Sequence, residues 1–266
     1  MCRLLVYFGE NTYLYNIIYN PPHNIIKQSY SLAYTPNIEQ NVLNTNLNLD
    51  GFGCGWWVPE KENFYFYKSL KSIWNDTLLN SISHSIKSPL IFAHIRAVLK
   101  RKSTPVSDLN THPFVINKWI WMHNGCIINF NKYKKKLSLF IKPHILSNIY
   151  GSTDSEYCFG IFLSFLEKNK NILESFILVF KYLKKNKCKG YYNFITSNGS
   201  HILGSRIIIG IAKAPLSLYF DNINKIISSE PIYPDSKWIK IPKNNIIYYN
   251  KNNNTYKMYD LSNMIN

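Results

Sequence analysis

Cys2 stands directly behind Met1 and just ahead of Leu4 to Phe8, an apolar stretch that reads as a short buried strand opening the fold. Methionine aminopeptidases act where the second side chain is small, and cysteine qualifies. Removal of Met1 leaves a thiol and a free α-amine on one residue. A free cysteine thiol titrates at about 8.5 and an α-amine at roughly 7.7–8.0. The amine is therefore suited to act as general base for the thiol beside it, directly or through one water.

The rest of the chain runs from strands to helices and back to strands. Gly51 to Val58 reads as a glycine-interrupted strand, and Asn63 to Tyr67 can pair with it. Glycine inside a strand marks close approach of another backbone or a ligand. Asp76 to Lys87 carries Leu78, Leu79, Ile82 and Ile86 at helical spacing. Leu90 to Ile95 and Lys118 to Met122 read as strands, the second ending at His123-Asn124-Gly125. Thr153 and Glu156 have capping-box spacing, which predicts a helix from Thr153 to about Lys168. A second, strongly apolar helix is expected over Ile172 to Leu183. Tyr191 to Ser197 and His201 to Ile209 flank Asn198-Gly199, a hairpin signal. Ile226 to Ser229 and Ile246 to Tyr249 supply further strands. Tyr30 to Asn48 reads as a loop and Asn250 to Asn254 as a polar turn. This order implies mixed sheets with helices outside, in a single domain over residues 1–266 with no internal repeat.

Composition narrows the function classes. The net charge of +16 invites a nucleic-acid reading, yet arginine occurs only at positions 3, 96, 101 and 206. Arginine is the preferred partner of phosphates and bases, and the lysine excess comes with heavy use of Asn, Ile and Tyr, the bias of AT-rich codons. Nucleic-acid binding is not expected. The clusters Lys132–Lys136 and Lys181–Lys189 read as solvated helix faces. No apolar run approaches the roughly 18 residues of a membrane span, and no signal-peptide pattern follows the start, so the expectation is a cytoplasmic protein without a membrane partner. Cys2, Cys54, Cys126, Cys158 and Cys188 form no C-x-x-C pair and no zinc-type spacing with the histidines. That set suits a reducing compartment, and neither metal nor cofactor is expected. Cys54 and Cys126 read as buried small hydrophobes.

Three motifs supply what a terminal thiol needs. Ala93-His94-Ile95-Arg96 puts a guanidinium at a strand end, where it can clamp a carboxylate with two parallel hydrogen bonds. Met122-His123-Asn124-Gly125 offers a side-chain amide and a backbone N–H side by side, the makings of an oxyanion hole. Gly151-Ser152-Thr153-Asp154-Ser155-Glu156 opens a helix, where Asp154 either favours the helix dipole or holds a substrate ammonium. Arg96 and Asp154 together would read the two ends of an α-amino acid.

With Met1-Cys2-Arg3-Leu4-Leu5, Asp50-Gly51-Phe52-Gly53 and Thr111-His112-Pro113-Phe114 added, the ordered set resembles the class II glutamine amidotransferases. It is most similar to their stand-alone branch, which includes the amidotransferase-like subunit of the fungal glutathione-degradation complex and the ergothioneine-pathway hydrolase. Ser205-Arg206 and Ser229-Glu230-Pro231 extend the likeness towards the C-terminus. The resemblance implies an α/β (α+β) fold, a four-layer α/β/β/α sandwich of the N-terminal nucleophile hydrolase type. It implies that Cys2 attacks a γ-amide carbon, that Asn124 and Gly125 stabilise the oxyanion, and that Arg96 and Asp154 hold the α-carboxylate and α-ammonium. His94 and His123, inside the same motifs, are further candidates for substrate binding. One departure stands out: Leu99 and the basic stretch Lys100-Arg101-Lys102 occupy the place where the family has a threonine three residues past the arginine.

The expected function is hydrolysis of a small-molecule γ-glutamyl substrate, glutathione or a relative, through a γ-glutamyl thioester, with room for a partner protein subunit. The alternatives are a glutaminase or amidotransferase subunit feeding ammonia to a separate synthase, and a catalytically silent binding module that kept the fold.

Overall fold

The computed structural model describes residues 2–30, 50–97, 105–213 and 216–265. The opening apolar stretch forms β1 (Arg3–Tyr7), whose Leu4, Leu5 and Val6 are fully buried. A strand buried on both faces must sit inside a sheet that is covered on both sides. The chain continues through β2 (Thr12–Tyr13), α1 (Leu14–Ile18), α2 (Ile25–Gln28), β3 (Phe52–Val58), β4 (Asn63–Ser69) and α3 (Thr77–Ser83). Next come β5 (Lys87–Ser88), β6 (Ile91–Ile95), β7 (Phe114–Ile116) and β8 (Trp119–Ile127). Four helices follow: α4 (Phe130–Ser138), α5 (Pro143–Leu146), α6 (Asp154–Asn169) and α7 (Ile172–Lys185). The last part holds β9 (Gly190–Ser197), β10 (His201–Ile209), β11 (Tyr219–Asp221), β12 (Ile226–Ser228), β13 (Ile239–Lys240), β14 (Asn245–Asn250), β15 (Thr255–Asp260) and α8 (Ser262–Ile265).

These strands build a seven-stranded sheet in the order β13-β11-β12-β1-β6-β3-β4 and a six-stranded sheet in the order β15-β14-β10-β9-β8-β7, with β2 and β5 paired apart. Three apolar layers hold the stack. Leu4, Val6 and Phe92 of the first sheet meet Ile120, Met122, Ile195 and Ile247 of the second. On the outer face of the first sheet, Leu5, Ile91 and Ala93 pack on Leu14, Ile17, Ile18 and Leu79 of α1 and α3. On the outer face of the second, Trp121 and Phe194 pack on Phe159, Phe162, Phe176 and Phe180 of α6 and α7. The result is the four-layer α/β/β/α sandwich expected from the sequence.

Side chains alternate across a strand, and this period decides which residues share the space between the sheets. On β1, Leu4 and Val6 face inward, and Cys2 continues that parity. On β6, Phe92 faces inward, so His94 and Arg96 follow it. On β8, Ile120 and Met122 face inward, so Asn124 joins them while His123 belongs to the opposite, helix-covered face. Three inward-facing parities from three strands thus converge at one end of the stack.

The helix expected over Asp76 to Lys87 is shorter. Asp76 is its N-cap, accepting from the Leu79 N–H at 2.8 Å, and the helix ends at Ser83. Leu78 and Leu79 are adjacent and cannot share one face, so Leu79 is buried while Leu78 is 54 % exposed. Lys87 has already joined the small β2–β5 ladder. The strand predicted to stop at Met122 runs on to Ile127, because Asn124 and Gly125 pair with Asn193 and Tyr192 of β9. Asn198-Gly199 closes the β9–β10 hairpin, and the polar stretch after Asn250 closes β14 onto β15. β15 itself is exposed along most of its length and shows no alternation a sequence reading can use. The loop expected over Tyr30 to Asn48 lies, beyond Tyr30, outside the described residues, as do Leu99 and Lys100-Arg101-Lys102. No helix among the described residues is long and apolar enough to cross a membrane. All five cysteines are free thiols.

Candidate active site

The Cys2 sulfur sits against the chain leaving β6. Ala97 N–H points at Sγ from 3.4 Å, and Sγ lies 3.7 Å from the Ala97 carbonyl oxygen. The Cys2 carbonyl oxygen accepts from Asn124 Nδ2 at 3.0 Å and from Arg3 Nη1 at 3.4 Å. One residue thus has its thiol held by the first sheet and its main chain held by the second.

Arg96 is next to that sulfur and only 6 % exposed. Its backbone N–H bonds Gly51 O at 2.9 Å, tying the end of β6 to the start of the glycine-interrupted strand. Its guanidinium gives Nη2 to the Pro105 carbonyl at 3.1 Å and leaves the buried Nη1 without a hydrogen-bond partner. Burial pulls its pKa down, opposed by the negative potential of Cys2 and Asp50. A buried cationic donor with nothing to bond is costly in isolation, and an anionic group beside Cys2 would satisfy it.

A second set of contacts fixes the backbone around Cys2. The Ser229 hydroxyl accepts from Leu4 N–H at 3.0 Å, while Ser229 N–H returns to Leu4 O at 2.9 Å. Asn124 Nδ2 also approaches Ser229 Oγ at 3.5 Å. Beside it, the buried Glu230 carboxylate binds Arg3 Nε at 2.9 Å and His23 Nε2 at 2.8 Å. The sequence showed Ser229-Glu230 as part of a resemblance only. Nothing in the local pattern reveals that residues more than two hundred positions from Cys2 hold its strand.

Gly125 follows Asn124 on β8, and no other residue fits there. A Cβ at this position would collide with the Tyr191 carbonyl oxygen and stand 2.5 Å from His123 Nε2. His123 points away from Cys2, as strand parity requires: Nδ1 meets Ser155 Oγ at 3.0 Å and Nε2 meets Tyr191 O at 2.9 Å. Both ring nitrogens are engaged beneath α6. His94 faces the inter-sheet space but is fully buried, its ring 4.2 Å from that of His112. Burial lowers the His94 pKa to about 3 and holds His112 well below the ordinary histidine value. Neither ring makes a hydrogen bond of good geometry. His94 and His123 therefore back the site from two sides.

Asp154 is the first residue of α6, with Thr153 as N-cap accepting from Glu156 N–H at 3.3 Å. Its Oδ2 accepts from Ile127 N–H at 2.5 Å and its Oδ1 from the Ser155 hydroxyl at 3.4 Å. The carboxylate is thus fastened to β8 a few residues past Asn124, and its hydrogen bonds go to neither Cys2 nor Arg96. Hydrogen bonds join Cys2 to Asn124 and to Ala97, the residue after Arg96, whose guanidinium lies within electrostatic reach of Cys2, and Asp154 is bonded to the adjoining segment of β8. Among the described residues, no three His, Cys, Asp or Glu side chains are grouped to hold a metal ion.

The profile of the family described as "Glutamine amidotransferases class-II" matches residues 24–215. "Probable glutamine amidotransferase DUG3" of Saccharomyces cerevisiae is 30% identical over 261 residues, covering 87% of this chain and 70% of that protein. A "Gamma-glutamyl-hercynylcysteine sulfoxide hydrolase" of Mycobacterium tuberculosis is 27% identical over 130 residues, covering 48% of this chain and 50% of the relative. Among solved structures, a glutamine aminotransferase class-II domain protein from Silicibacter pomeroyi superposes with a TM-score of 0.69 at 19% identity, over 98% of this chain and 100% of that one. The glutamine phosphoribosylpyrophosphate amidotransferase of B. subtilis superposes with a TM-score of 0.63 at 14% identity, over 100% of this chain and 50% of that one. These two share the fold. The family profile, the extended yeast match and the architecture agree: the chain belongs to the class II glutamine amidotransferases, enzymes that hydrolyse γ-glutamyl amide bonds.

Proposed function

We propose that this chain cleaves a γ-glutamyl amide with Cys2, freed of Met1, as nucleophile. The Cys2 thiol gives its proton to its own α-amine and the sulfur attacks the γ-carbonyl carbon. The oxygen that becomes negative is met by the Asn124 side-chain amide and the Gly125 N–H. The tetrahedral adduct collapses as the amine passes the proton to the leaving nitrogen, which departs as ammonia or as a free amine. A γ-glutamyl thioester remains. Water, deprotonated by the α-amine, attacks it, and glutamate leaves as the thiol is restored. Arg96 holds the α-carboxylate and Asp154 the α-ammonium. His94 and His123 act by holding the strands on which Arg96 and Asn124 sit.

The observation that supports this reading most is the double grip on Cys2: Ala97 N–H at its sulfur and Asn124 Nδ2 at its carbonyl, with the unpartnered Arg96 Nη1 nearby. The leaving group is inferred from relatives. The mycobacterial relative is named for cleaving a γ-glutamyl group from a cysteine derivative, and the sequence resembles the glutathione-degradation branch. We therefore take glutathione or a similar γ-glutamyl-cysteine compound as substrate, with a partner protein subunit as in that branch. Purified enzyme should release glutamate from glutathione faster than from glutamine, and Cys2→Ala should abolish both activities. Full activity in Cys2→Ala refutes the nucleophile. Much faster turnover of glutamine refutes the glutathione assignment alone.

A further inference from the structure

One buried side chain ties together the two segments assigned to the charged ends of the substrate. Asn110 is 4 % exposed and closes a short 3-10 turn, Asp108–Asn110. Its Nδ2 donates to the Pro105 carbonyl oxygen at 3.0 Å, the same oxygen that receives Arg96 Nη2 at 3.1 Å. Its Oδ1 accepts from Ser152 N–H at 2.8 Å and from the Ser152 hydroxyl at 3.4 Å. Ser152 lies two residues before Asp154, on the turn that opens α6. Gly151 lets that turn close: a Cβ there would collide with Leu109 O and the Glu156 carboxylate and stand 2.7 Å from Asn110 Oδ1. The amide is used at both ends in opposite directions. A carboxylate in its place lacks the donor, and an apolar side chain lacks both.

We propose that Asn110 is a specificity-determining positioning residue, which fixes the separation between the Arg96 guanidinium and the Asp154 carboxylate. This rests on the roles given to Arg96 and Asp154 above. A substrate head group carrying both an α-carboxylate and an α-ammonium gains fully only when the two protein charges are held at its own span. With the bridge cut, the Pro105 segment that anchors Arg96 moves independently of the turn that presents Asp154. Each charge can then be met singly, and the advantage of the doubly charged head group shrinks. The hydrogen-bond partners of Cys2, Ala97 and Asn124, lie outside this bridge, so the thiol keeps its reactivity.

The test compares glutamine with glutaramic acid, which differs only in lacking the α-ammonium, by ammonia release. The ratio of their kcat/KM values is measured in wild type, Asn110→Asp and Asn110→Leu, together with melting temperature and the rate of Cys2 alkylation by iodoacetamide. The expected result is a fall in the ratio of about tenfold or more, carried by KM for glutamine, with alkylation within about twofold of wild type. Asn110→Asp retains the acceptor for Ser152 and decides the matter if Asn110→Leu does not fold. An unchanged ratio overturns the proposal, as does a changed ratio accompanied by an equal collapse of Cys2 alkylation. Asp154→Asn is the control. If the ratio survives there too, the assignment of Asp154 fails; if it collapses there but not in Asn110→Asp, only the present inference fails.

Discussion

Asn124→Ala removes two services at once, and the structure lets their cost be worked separately. Asn124 Nδ2 bonds the Cys2 carbonyl at 3.0 Å, whereas Ser229 Oγ at 3.5 Å lies beyond ordinary N–H···O range. One amide hydrogen is therefore committed to the nucleophile's main chain, and the other is free to meet a developing oxyanion. Loss of an oxyanion donor costs about 2.7–4 kcal/mol of transition-state stabilisation. Loss of the bond to Cys2 adds roughly 0.5–1.5 kcal/mol. Together these predict a drop of about 3–5 kcal/mol, two to four orders of magnitude in kcat/KM. The change should fall on kcat, because the oxyanion exists only in the transition state. Steady-state glutamate release measures it, and a melting curve separates it from unfolding. Asn124→Asp, which keeps the shape and loses the donors, should be as impaired as Asn124→Ala. A folded Asn124→Ala variant within about fivefold of wild type refutes the oxyanion argument.

Arg96→Gln should instead act through KM, since a carboxylate clamp serves ground and transition states alike; loss of a charge-assisted pair at about 1.5–3 kcal/mol per bond predicts a KM at least tenfold higher. Glu230→Ala removes the carboxylate shared by Arg3 and His23 in a buried setting, and should lower stability by roughly 3–5 kcal/mol, read as a fall in denaturant midpoint. His94 and His112 have folded-state pKa values below the unfolded value of about 6.5, so below that pH the unfolded chain binds more protons than the native one. Each such histidine then lowers stability by about 1.4 kcal/mol per pH unit as pH falls below about 6.5, in the case of His94 down to about 3. Replacing His112 by Asn should flatten the dependence of the unfolding midpoint across that window, and an unaltered slope contradicts the assignment.

Much of the candidate site was legible in the sequence, for reasons that differ by residue. Cys2, Arg96 and Asn124 sit at strand ends or on strands whose period of two fixes which face they share, and hydrophobic neighbours reveal that period. The same period sends His123 to the helix side, a distinction the motif alone does not make because it reads residue types and ignores parity. The capping spacing of Thr153 and Glu156 located the start of α6 to within one residue. Asn110, Ser229 and Glu230 were not legible as parts of the site. Their importance arises from long-range contacts, Ser229 with Leu4 and Asn110 with Ser152, that leave no local periodic trace. The end of β8 was missed because polar residues that line a site interrupt the apolar pattern by which strands are found.

The most direct test of the account is to acid-quench the enzyme during turnover and map the covalent adduct by mass spectrometry. The account predicts an N-terminal peptide that begins at Cys2, lacks Met1 and carries one γ-glutamyl group as a thioester. An adduct on any other residue, or full activity from protein that retains Met1, contradicts it.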